Sequence, residues 1–163
     1  GDHGWNLGEH NFWGKDNLVL NSIRSPLIIS APGCKSNVRS NAIVELIDIY
    51  PTLCDLTGIS KPDHLQGISM QPLLKSPDRK WKEAAFANCI TVDGNSNGKT
   101  VITETYSYTE YIDNGVVAKM LFDLKKDPDE NVNVAGDPAY KEVINRLSRL
   151  LRDQWPESPA STK

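Results

Sequence analysis

The sequence predicts an α/β fold joined to a smaller antiparallel sheet that a C-terminal helix closes. The apolar run Pro26–Ser30, ended by Pro32-Gly33, is typical of a buried strand in an α/β sheet. Further on, two β-branched and aromatic runs flank Asn114-Gly115, and apolar side chains recur at helical spacing from Tyr140 to Leu151. With 163 residues, 39% of them apolar, the chain can bury a core.

The segment after the first strand contains a helix whose start is set by a proline. Ala42–Ile47 could form a strand or the beginning of a helix. Because proline is tolerated in the first helical turn and breaks a helix interior, Pro51 predicts a helix that Asp48 caps. We expect this helix to run through Leu56 and to end at Gly58.

A long connection and an exposed loop divide the predicted fold into two parts. Residues 58–82 indicate a surface connection with a brief helical turn near Met70–Leu74, and Ala84–Ala87 indicates another strand. The turn-forming stretch Asp93–Gly98 is the predicted boundary. We therefore assign residues 1–90 to the larger part and residues 91–163 to the smaller one.

The smaller part contains strand patterns followed by one amphipathic helix. Strands are predicted at Thr100–Thr105, Tyr108–Ile112 and Val116–Leu124, with a hairpin turn at Asn114-Gly115 and another turn at Asp127-Pro128-Asp129. Asp137 and Pro138 can serve as the cap and first residue of the helix, which should pack on the antiparallel sheet. Pro156 and Pro159 indicate a disordered tail.

Composition and charge exclude several classes of protein. The net charge is −3 and no basic stripe is present, which argues against nucleic acid as a partner. No apolar run approaches the roughly 20 residues that span a bilayer. The three cysteines form no CxxC pair, so a zinc site made of thiolates is not expected, and Cys54 is interpreted as a small buried side chain.

The first ten residues concentrate the groups that carry chemistry. Asp2, His3, Glu9 and His10 stand among glycines, and carboxylate and imidazole side chains on such a backbone offer donors to a metal ion. Since no methionine precedes this motif, we expect the chain to begin inside a larger protein and to hold half of the site.

The ordered motifs of the chain resemble those of the type I sulfatases, and most closely the iduronate-2-sulfatase-like branch. The resemblance begins with Asp2-His3-Gly4-Trp5, Leu7-Gly8-Glu9-His10, Trp13 and Lys15. It continues through Pro26-Leu27-Ile28, Asp48-Ile49-Tyr50-Pro51-Thr52-Leu53 with Gly58, Leu65-Gln66-Gly67-Ile68-Ser69, Leu121-Phe122-Asp123-Leu124, Asp127-Pro128 and Glu130-Asn131. It implies the C-terminal part of an alkaline-phosphatase-like sulfatase fold.

The resemblance implies a divalent cation, usually Ca²⁺, with Asp2 and His3 among its ligands. Ca²⁺ takes six or more oxygen ligands, so two residues cannot fill its coordination. In the family an aspartate pair near the N-terminus supplies the others, and that pair is not in this sequence. The alternative interpretation is a solvated loop in which Asp2 caps the following turn.

Lys15 is the residue expected to bind the sulfate group. A lysine ammonium can stabilise the charge that builds on the bridging oxygen as the S–O bond breaks. An ordinary surface lysine is the alternative interpretation. His10 could donate a proton to the leaving alcohol or could brace the loop.

The remaining residues of the motif have less specific interpretations. Glu9 is expected to bond to the backbone or to orient a neighbour. Trp5 and Trp13 could line a sugar pocket, with Trp13 as the predicted substrate-binding residue, or could serve in packing.

Two departures from the family pattern limit this interpretation. The family nucleophile is a formylglycine made from a Cys/Ser-x-Pro-x-Arg motif, and none of the three cysteines stands in one. We therefore expect the chain alone to be inactive, with formylglycine in the missing N-terminal half. In addition, the stretch Ile102–Ser107 contains no arginine, where relatives often carry arginines.

The predicted function is the C-terminal portion of a sulfatase, a hydrolase of sulfuric esters acting on a sulfated carbohydrate or small molecule. The missing N-terminal half is the expected partner, and the resemblance implies a periplasmic, secreted or lysosomal location. Two alternatives remain open. One is a phosphoester or phosphonate hydrolase of the same superfamily, and the other is a non-catalytic homologue that binds sulfated glycans.

Overall fold

A computed structural model of the chain describes residues 1–90, 96–113 and 116–156, and it divides by packing into two units. The sheet unit contains Gly1, His3–Ser25 and the described residues from Phe86 onward. The helix unit contains Asp2 and Pro26–Ala85. No helix in the described residues is long and apolar enough to cross a membrane.

The described elements follow one another in a simple order. The strands and helices are β1 (Asn6–Leu7), β2 (Trp13–Gly14), α1 (Leu20–Ile23), α2 (Ile49–Thr57), α3 (Gln71–Lys75), β3 (Ala84–Ile90), β4 (Ser96–Thr103), β5 (Tyr106–Asp113), β6 (Val116–Asp123) and α4 (Lys141–Gln154). Strands β1 and β2 form a two-stranded sheet, and β3 to β6 form a four-stranded sheet in the order β3-β4-β5-β6.

The core of the sheet unit lies between the four-stranded sheet and α4. In the antiparallel register Val101 pairs with Tyr108, and Tyr108 pairs with Leu121. These three side chains and Leu147 of α4 have no exposed surface. Helix α4 contacts β4 and β5, so the predicted packing of the apolar stripe on the antiparallel sheet is confirmed.

The predicted start of the closing helix is also confirmed. The Asp137 carboxylate accepts a hydrogen bond from the amide of Ala139, at 2.9 Å, and Pro138–Tyr140 form a 3₁₀ turn that leads into α4. A capped first turn satisfies amides that would otherwise have no acceptor. The described chain ends at Pro156, and Pro159 with the predicted tail lies outside the described residues.

The strand predictions in the smaller part agree with the structure except near Gly98. Strands β5 and β6 pair Asp113 with Val116, while Asn114-Gly115 itself lies outside the described residues. The loop predicted at 93–98 is partly outside them as well. Its last residues, Ser96–Gly98, belong to β4, and Gly98 is buried, so the expectation of an exposed loop is wrong there.

Gly98 lies in a strand, where the absence of a side chain leaves room for two neighbouring side chains. A Cβ at this position would come within 2.6 Å of both Leu18 Cδ1 and the Tyr111 ring. The sequence makes this glycine look like a turn former, whereas the structure uses it for close packing.

The helix unit confirms two of the predicted helices. Helix α2 follows Asp48 and ends at Gly58, whose φ of 73° is the left-handed conformation that glycine adopts at low cost. The prediction that Asp48 caps this helix is wrong, because its carboxylate accepts the amides of Glu45 and Ile68 and makes no capping bond to α2. Helix α3 lies one residue beyond the predicted turn at Met70–Leu74. Ala42–Ile47 is neither a strand nor an α-helix, and a 3₁₀ turn at Leu46–Asp48 leads into α2 instead.

The prediction of a buried strand at Pro26–Ser30 is wrong for the described chain. No described strand pairs with this segment, and Ile28 is 92% exposed. A strand needs neighbouring strands that satisfy its backbone groups, and an apolar run cannot supply them by itself.

The division by packing lies between Ala85 and Phe86, and it groups residues 3–25 with the four-stranded sheet. The predicted division at residue 90 concerns the catalytic domain of a longer protein, and it stays a prediction.

Candidate active site

The motif-bearing segment folds as a short hairpin with an unusual turn. Strands β1 and β2 pair Asn6 with Gly14, and three residues of the hairpin turn have positive φ, namely Gly8 at 119°, His10 at 54° and Asn11 at 61°. Two consecutive non-glycine residues in the left-handed region are rare and costly, and such strain concentrates at functional sites. The hairpin therefore presents His10 on a constrained backbone.

Glu9 bonds to the hairpin backbone, as the sequence suggested. Its Oε2 accepts a hydrogen bond from the amide of Leu7, and this contact, with the Glu9 amide, lowers the pKa of the Glu9 carboxyl. Glu9 is therefore an anion that fixes the entry into the turn.

Both tryptophans of the hairpin cover a glycine and keep much of their surface exposed. The Trp13 ring lies against Gly8 and is 77% exposed, and the Trp5 ring lies against Gly14 and is 56% exposed. The rings of His3 and Trp5 are tilted, with centroids 6.1 Å apart. A large exposed aromatic surface of this kind can stack on a ligand ring.

His3 has one ring nitrogen fixed by the backbone. Its Nδ1 lies 2.7 Å from the carbonyl oxygen of Gly4, and because a carbonyl only accepts, Nδ1 carries the proton of this bond. The lone pair of the neutral ring is then on Nε2, an arrangement common in histidines that bind metals. Asp2, the preceding residue, is exposed.

Lys15 follows β2 and has an exposed side chain. Within the described part of the chain, no carboxylate lies within ion-pair distance of its ammonium group. The carbonyl of Lys15 accepts a hydrogen bond from Asn17, at 2.8 Å, so the backbone turns directly after the lysine. A lysine on a fixed turn without a carboxylate partner can receive an anionic ligand.

A buried polar network holds the hairpin to α1. Ser22 Oγ donates to Asn17 Oδ1 at 2.7 Å, and Asn6 Nδ2 donates to Ser22 Oγ and to the carbonyl of Gly14. All three polar residues are at most 9% exposed. The sequence analysis missed this network, because isolated Asn and Ser residues are typical of loops and carry no signal of burial.

The four-stranded sheet holds the other end of the segment. Leu18 is 2% exposed, and its side chain lies at Gly98, next to the space that the Tyr111 ring also borders. The amide of Leu20, at the start of α1, donates to Glu130 Oε2 at 2.6 Å. The segment that carries His10, Trp13 and Lys15 is thus followed by two anchors, one at Gly98 of the sheet and one at Glu130 in the loop after β6.

The described residues contain no group of three or more His, Cys, Asp or Glu side chains that could hold a metal ion. A hard cation needs more ligands than the pair Asp2 and His3 supplies. The donor types of this pair suit a divalent cation, but the pair is not a complete site.

The architecture just described is that of sulfatases and related hydrolases with an alkaline-phosphatase-like fold. One similar structure is a protein solved in complex with its substrate, D-glucosamine-2-N,6-O-disulfate, with a TM-score of 0.84, 27% identity and coverage of 93% of this chain and 32% of that one. Another is the phosphonate monoester hydrolase of Agrobacterium radiobacter, with a TM-score of 0.80, 28% identity and coverage of 93% and 34%.

The family model described as N-sulphoglucosamine sulphohydrolase, C-terminal, matches residues 8–156. The chain therefore belongs to this family of sulfatases. Arylsulfatase K of Mus musculus is 33% identical over 174 residues, which cover 98% of this chain and 30% of that protein. An arylsulfatase of Clostridium perfringens is 30% identical over 154 residues, covering 92% and 31%.

These findings confirm the resemblance to sulfatases and the predicted fold class. The chain spans about 30% of the length of the curated relatives it matches. The iduronate-2-sulfatase-like branch and the roles of the individual site residues stay predictions.

Proposed function

We propose that the chain is the C-terminal portion of an enzyme that hydrolyses sulfate esters. The observation that carries the proposal is the family match over residues 8–156, which includes the constrained turn, β2 and the four-stranded sheet. Matches to named arylsulfatases from a mammal and a bacterium support the same reaction class.

A sulfated carbohydrate is the proposed substrate class. The similar structure with D-glucosamine-2-N,6-O-disulfate as its substrate supports this choice at 27% identity. The exposed Trp13 ring offers a face on which a sugar ring can stack, and it is the proposed substrate-binding residue.

Lys15 and His10 are the proposed catalytic residues. The Lys15 ammonium would stabilise the negative charge that develops on the bridging oxygen as the S–O bond breaks. His10 would donate a proton to the leaving alcohol, and Lys15 would bind the sulfate in the ground state as well. The positive φ of His10 fixes its backbone, which limits the positions its ring can take.

Asp2 and His3 would hold a divalent cation, with Ca²⁺ as the proposed ion. The Nδ1 bond of His3 to the Gly4 carbonyl fits this role, because metal-binding histidines commonly donate one ring N–H to a backbone carbonyl. When bound, the cation and a formylglycine of a longer protein would supply charge neutralisation and the nucleophile. Other ligands would have to come from outside the described residues, since they hold no cluster of three donors.

We further propose that such a longer protein acts outside the cytoplasm, in the periplasm, a secreted form or the lysosome. The support is membership of the sulfatase family, and localisation of a tagged full-length protein tests it.

A phosphoester or phosphonate hydrolase is the second candidate function. The phosphonate monoester hydrolase with a TM-score of 0.80 supports it at nearly the same identity as the sulfated-sugar complex. Such an enzyme often uses two metal ions, which need several Asp and His ligands. Beyond its first ten residues this chain has one histidine, His64. The family match and the named arylsulfatases favour the sulfatase.

The discriminating experiment compares matched aryl esters on the longest natural protein that contains this chain. We expect kcat/KM for an aryl sulfate to exceed that for the aryl phosphonate by at least about 100-fold. A preference for the phosphonate would favour the second candidate. Binding of a sulfated glycan without turnover of either ester would favour the non-catalytic homologue.

A further inference from the structure

Glu130 combines two unfavourable features in one residue. Its side chain is 3% exposed, although it is a carboxyl, and its backbone has a φ of 56°, in the left-handed region. Burial of a carboxylate and a positive φ at a non-glycine residue each cost free energy, so other interactions must hold Glu130 in this state. The residue lies in the loop between β6 and α4, far along the chain from the hairpin.

The contacts of Glu130 lead to the segment that carries Lys15. Its Oε2 accepts a hydrogen bond from the Leu20 amide at 2.6 Å, across 110 residues of sequence. Its Oε1 is buried and has no hydrogen-bond partner in the part of the chain that the structure describes. A buried carboxylate needs hydrogen bonds to offset its loss of hydration, and the Leu20 amide supplies a short one to Oε2.

The surroundings of Glu130 shift the pKa of its carboxyl in opposite directions. Burial raises the pKa of the Glu130 carboxyl, while the Leu20 amide, the Ser107 hydroxyl and the charge of His10 lower it. The negative charge of Asp127 raises it again. Burial also raises the pKa of the Asp127 carboxyl, but hydrogen bonds from Val132 and Asn131, with a smaller contribution from His10, lower it below its ordinary value.

We propose that Glu130 is a positioning residue, which fixes the backbone between Lys15 and α1 by receiving the Leu20 amide. The buried Leu18 side chain, which lies at Gly98 of β4, anchors the same stretch by apolar contact. Apolar packing leaves a chain free to slide by fractions of an ångström, whereas a short hydrogen bond to a charged acceptor has a fixed direction. The consequence for catalysis rests on the proposed function, and the anchoring itself does not.

The first experiment measures anchoring without any substrate. Amide hydrogen exchange of the whole chain is compared for wild type, Glu130→Ala, Glu130→Gln and the control Asp137→Ala. Asp137 also accepts a backbone amide, that of Ala139, but it caps the closing helix. Glu130→Ala should speed exchange at Leu20 at least about 10-fold, while Asp137→Ala leaves it unchanged.

Glu130→Gln keeps an oxygen that can accept the Leu20 amide, so exchange at Leu20 should stay within about 3-fold of wild type. Should Glu130→Ala fail to fold, Glu130→Gly replaces it, because glycine adopts the positive φ without cost and lacks the acceptor. Equal exchange at Leu20 in the Ala or Gly variant and in wild type would overturn the proposal.

The second experiment measures turnover of an aryl sulfate by the longest natural protein that contains the chain, well below the unfolding temperature of each variant. We expect Glu130→Ala to lower kcat about 10-fold with little change in KM. Glu130→Gln should retain most of the wild-type kcat. Equal kinetics for Glu130→Ala and Asp137→Ala would overturn the catalytic part. If wild type hydrolyses no sulfate ester, the proposed function fails, and the exchange experiment alone decides whether Glu130 anchors the segment.

Discussion

The Lys82 ammonium lies 2.7 Å from Oδ1 and 2.7 Å from Oδ2 of Asp48, a side chain with no exposed surface. Glu45 also receives the ammonium, at 2.8 Å, and Asp48 accepts the amides of Glu45 and Ile68. A buried carboxylate that loses its cation keeps its desolvation cost. The bridge thus ties the start of α2 to two distant parts of the helix unit.

Lys82→Met should therefore destabilise the chain by about 3 kcal/mol, measured as the free energy of unfolding in urea. Lys61→Met is the matched control, because Lys61 pairs with Asp55 at 2.9 Å on the surface, and an exposed pair is worth at most about 1 kcal/mol. Equal losses in the two variants would show that the Asp48 bridge contributes no more than a surface pair.

Gly4→Ala should disrupt the segment that carries His3. A Cβ at Gly4 would overlap the backbone carbonyl of Asn21, whereas Gly136 has nothing within 4 Å and serves as the control. Overlap with backbone cannot be relieved by a rotamer change, so we expect a loss of about 1–3 kcal/mol for Gly4→Ala and little for Gly136→Ala. A Gly4→Ala protein as stable as the control variant would contradict the placement of this segment against α1.

Stability should fall as pH rises through the range in which Glu130 titrates. Burial raises the pKa of folded Glu130 above the ordinary value of 4.5. At pH values between the ordinary pKa of the unfolded chain and the raised pKa of the folded chain, Glu130 is protonated in the folded chain and ionised in the unfolded one. Folding therefore binds a proton in this range, and stability decreases as the pH rises.

The measurement is the free energy of unfolding of wild type and Glu130→Gln at acidic and neutral pH. The variant cannot ionise at position 130, so wild type should lose stability relative to it on going from acid to neutral pH. Parallel pH curves for the two proteins would contradict a raised pKa at this residue.

The chain alone should bind Ca²⁺ weakly or not at all. The described residues contain no cluster of three donor side chains, and Ca²⁺ needs six or more oxygen ligands. Titration calorimetry at neutral pH should show no submicromolar binding. A submicromolar Kd that Asp2→Asn leaves unchanged would reveal ligands other than the proposed pair.

Features with a local signal were predicted well from sequence. The cap at Asp137, the end of α2 at Gly58 and the apolar stripe ending at Leu151 depend on residues within a turn or two of one another. The error at Pro26–Ser30 has another cause, since a strand depends on partners that its own residues do not specify.

The residues that anchor the candidate site were also missed, because their roles depend on contacts that are distant in sequence. Glu130 follows the predicted turn at Asp127-Pro128-Asp129, and only folding brings it to the amide of Leu20. Gly98 is typical of a loop in the sequence. Only the structure shows that a side chain at this position would collide with Leu18. The motif itself, with Lys15 and His10, was visible because neighbouring residues carry it.

The most direct test of the account is the turnover of an aryl sulfate by Lys15→Ala in the longest natural protein that contains the chain. The control is Lys75→Ala, since Lys75 is also exposed but lies at the end of α3. We expect kcat to fall by about 100-fold or more for Lys15→Ala, with unchanged unfolding temperature, and to stay at the wild-type value for Lys75→Ala. Identical kinetics for the two lysine variants would remove Lys15 from the site and contradict the account.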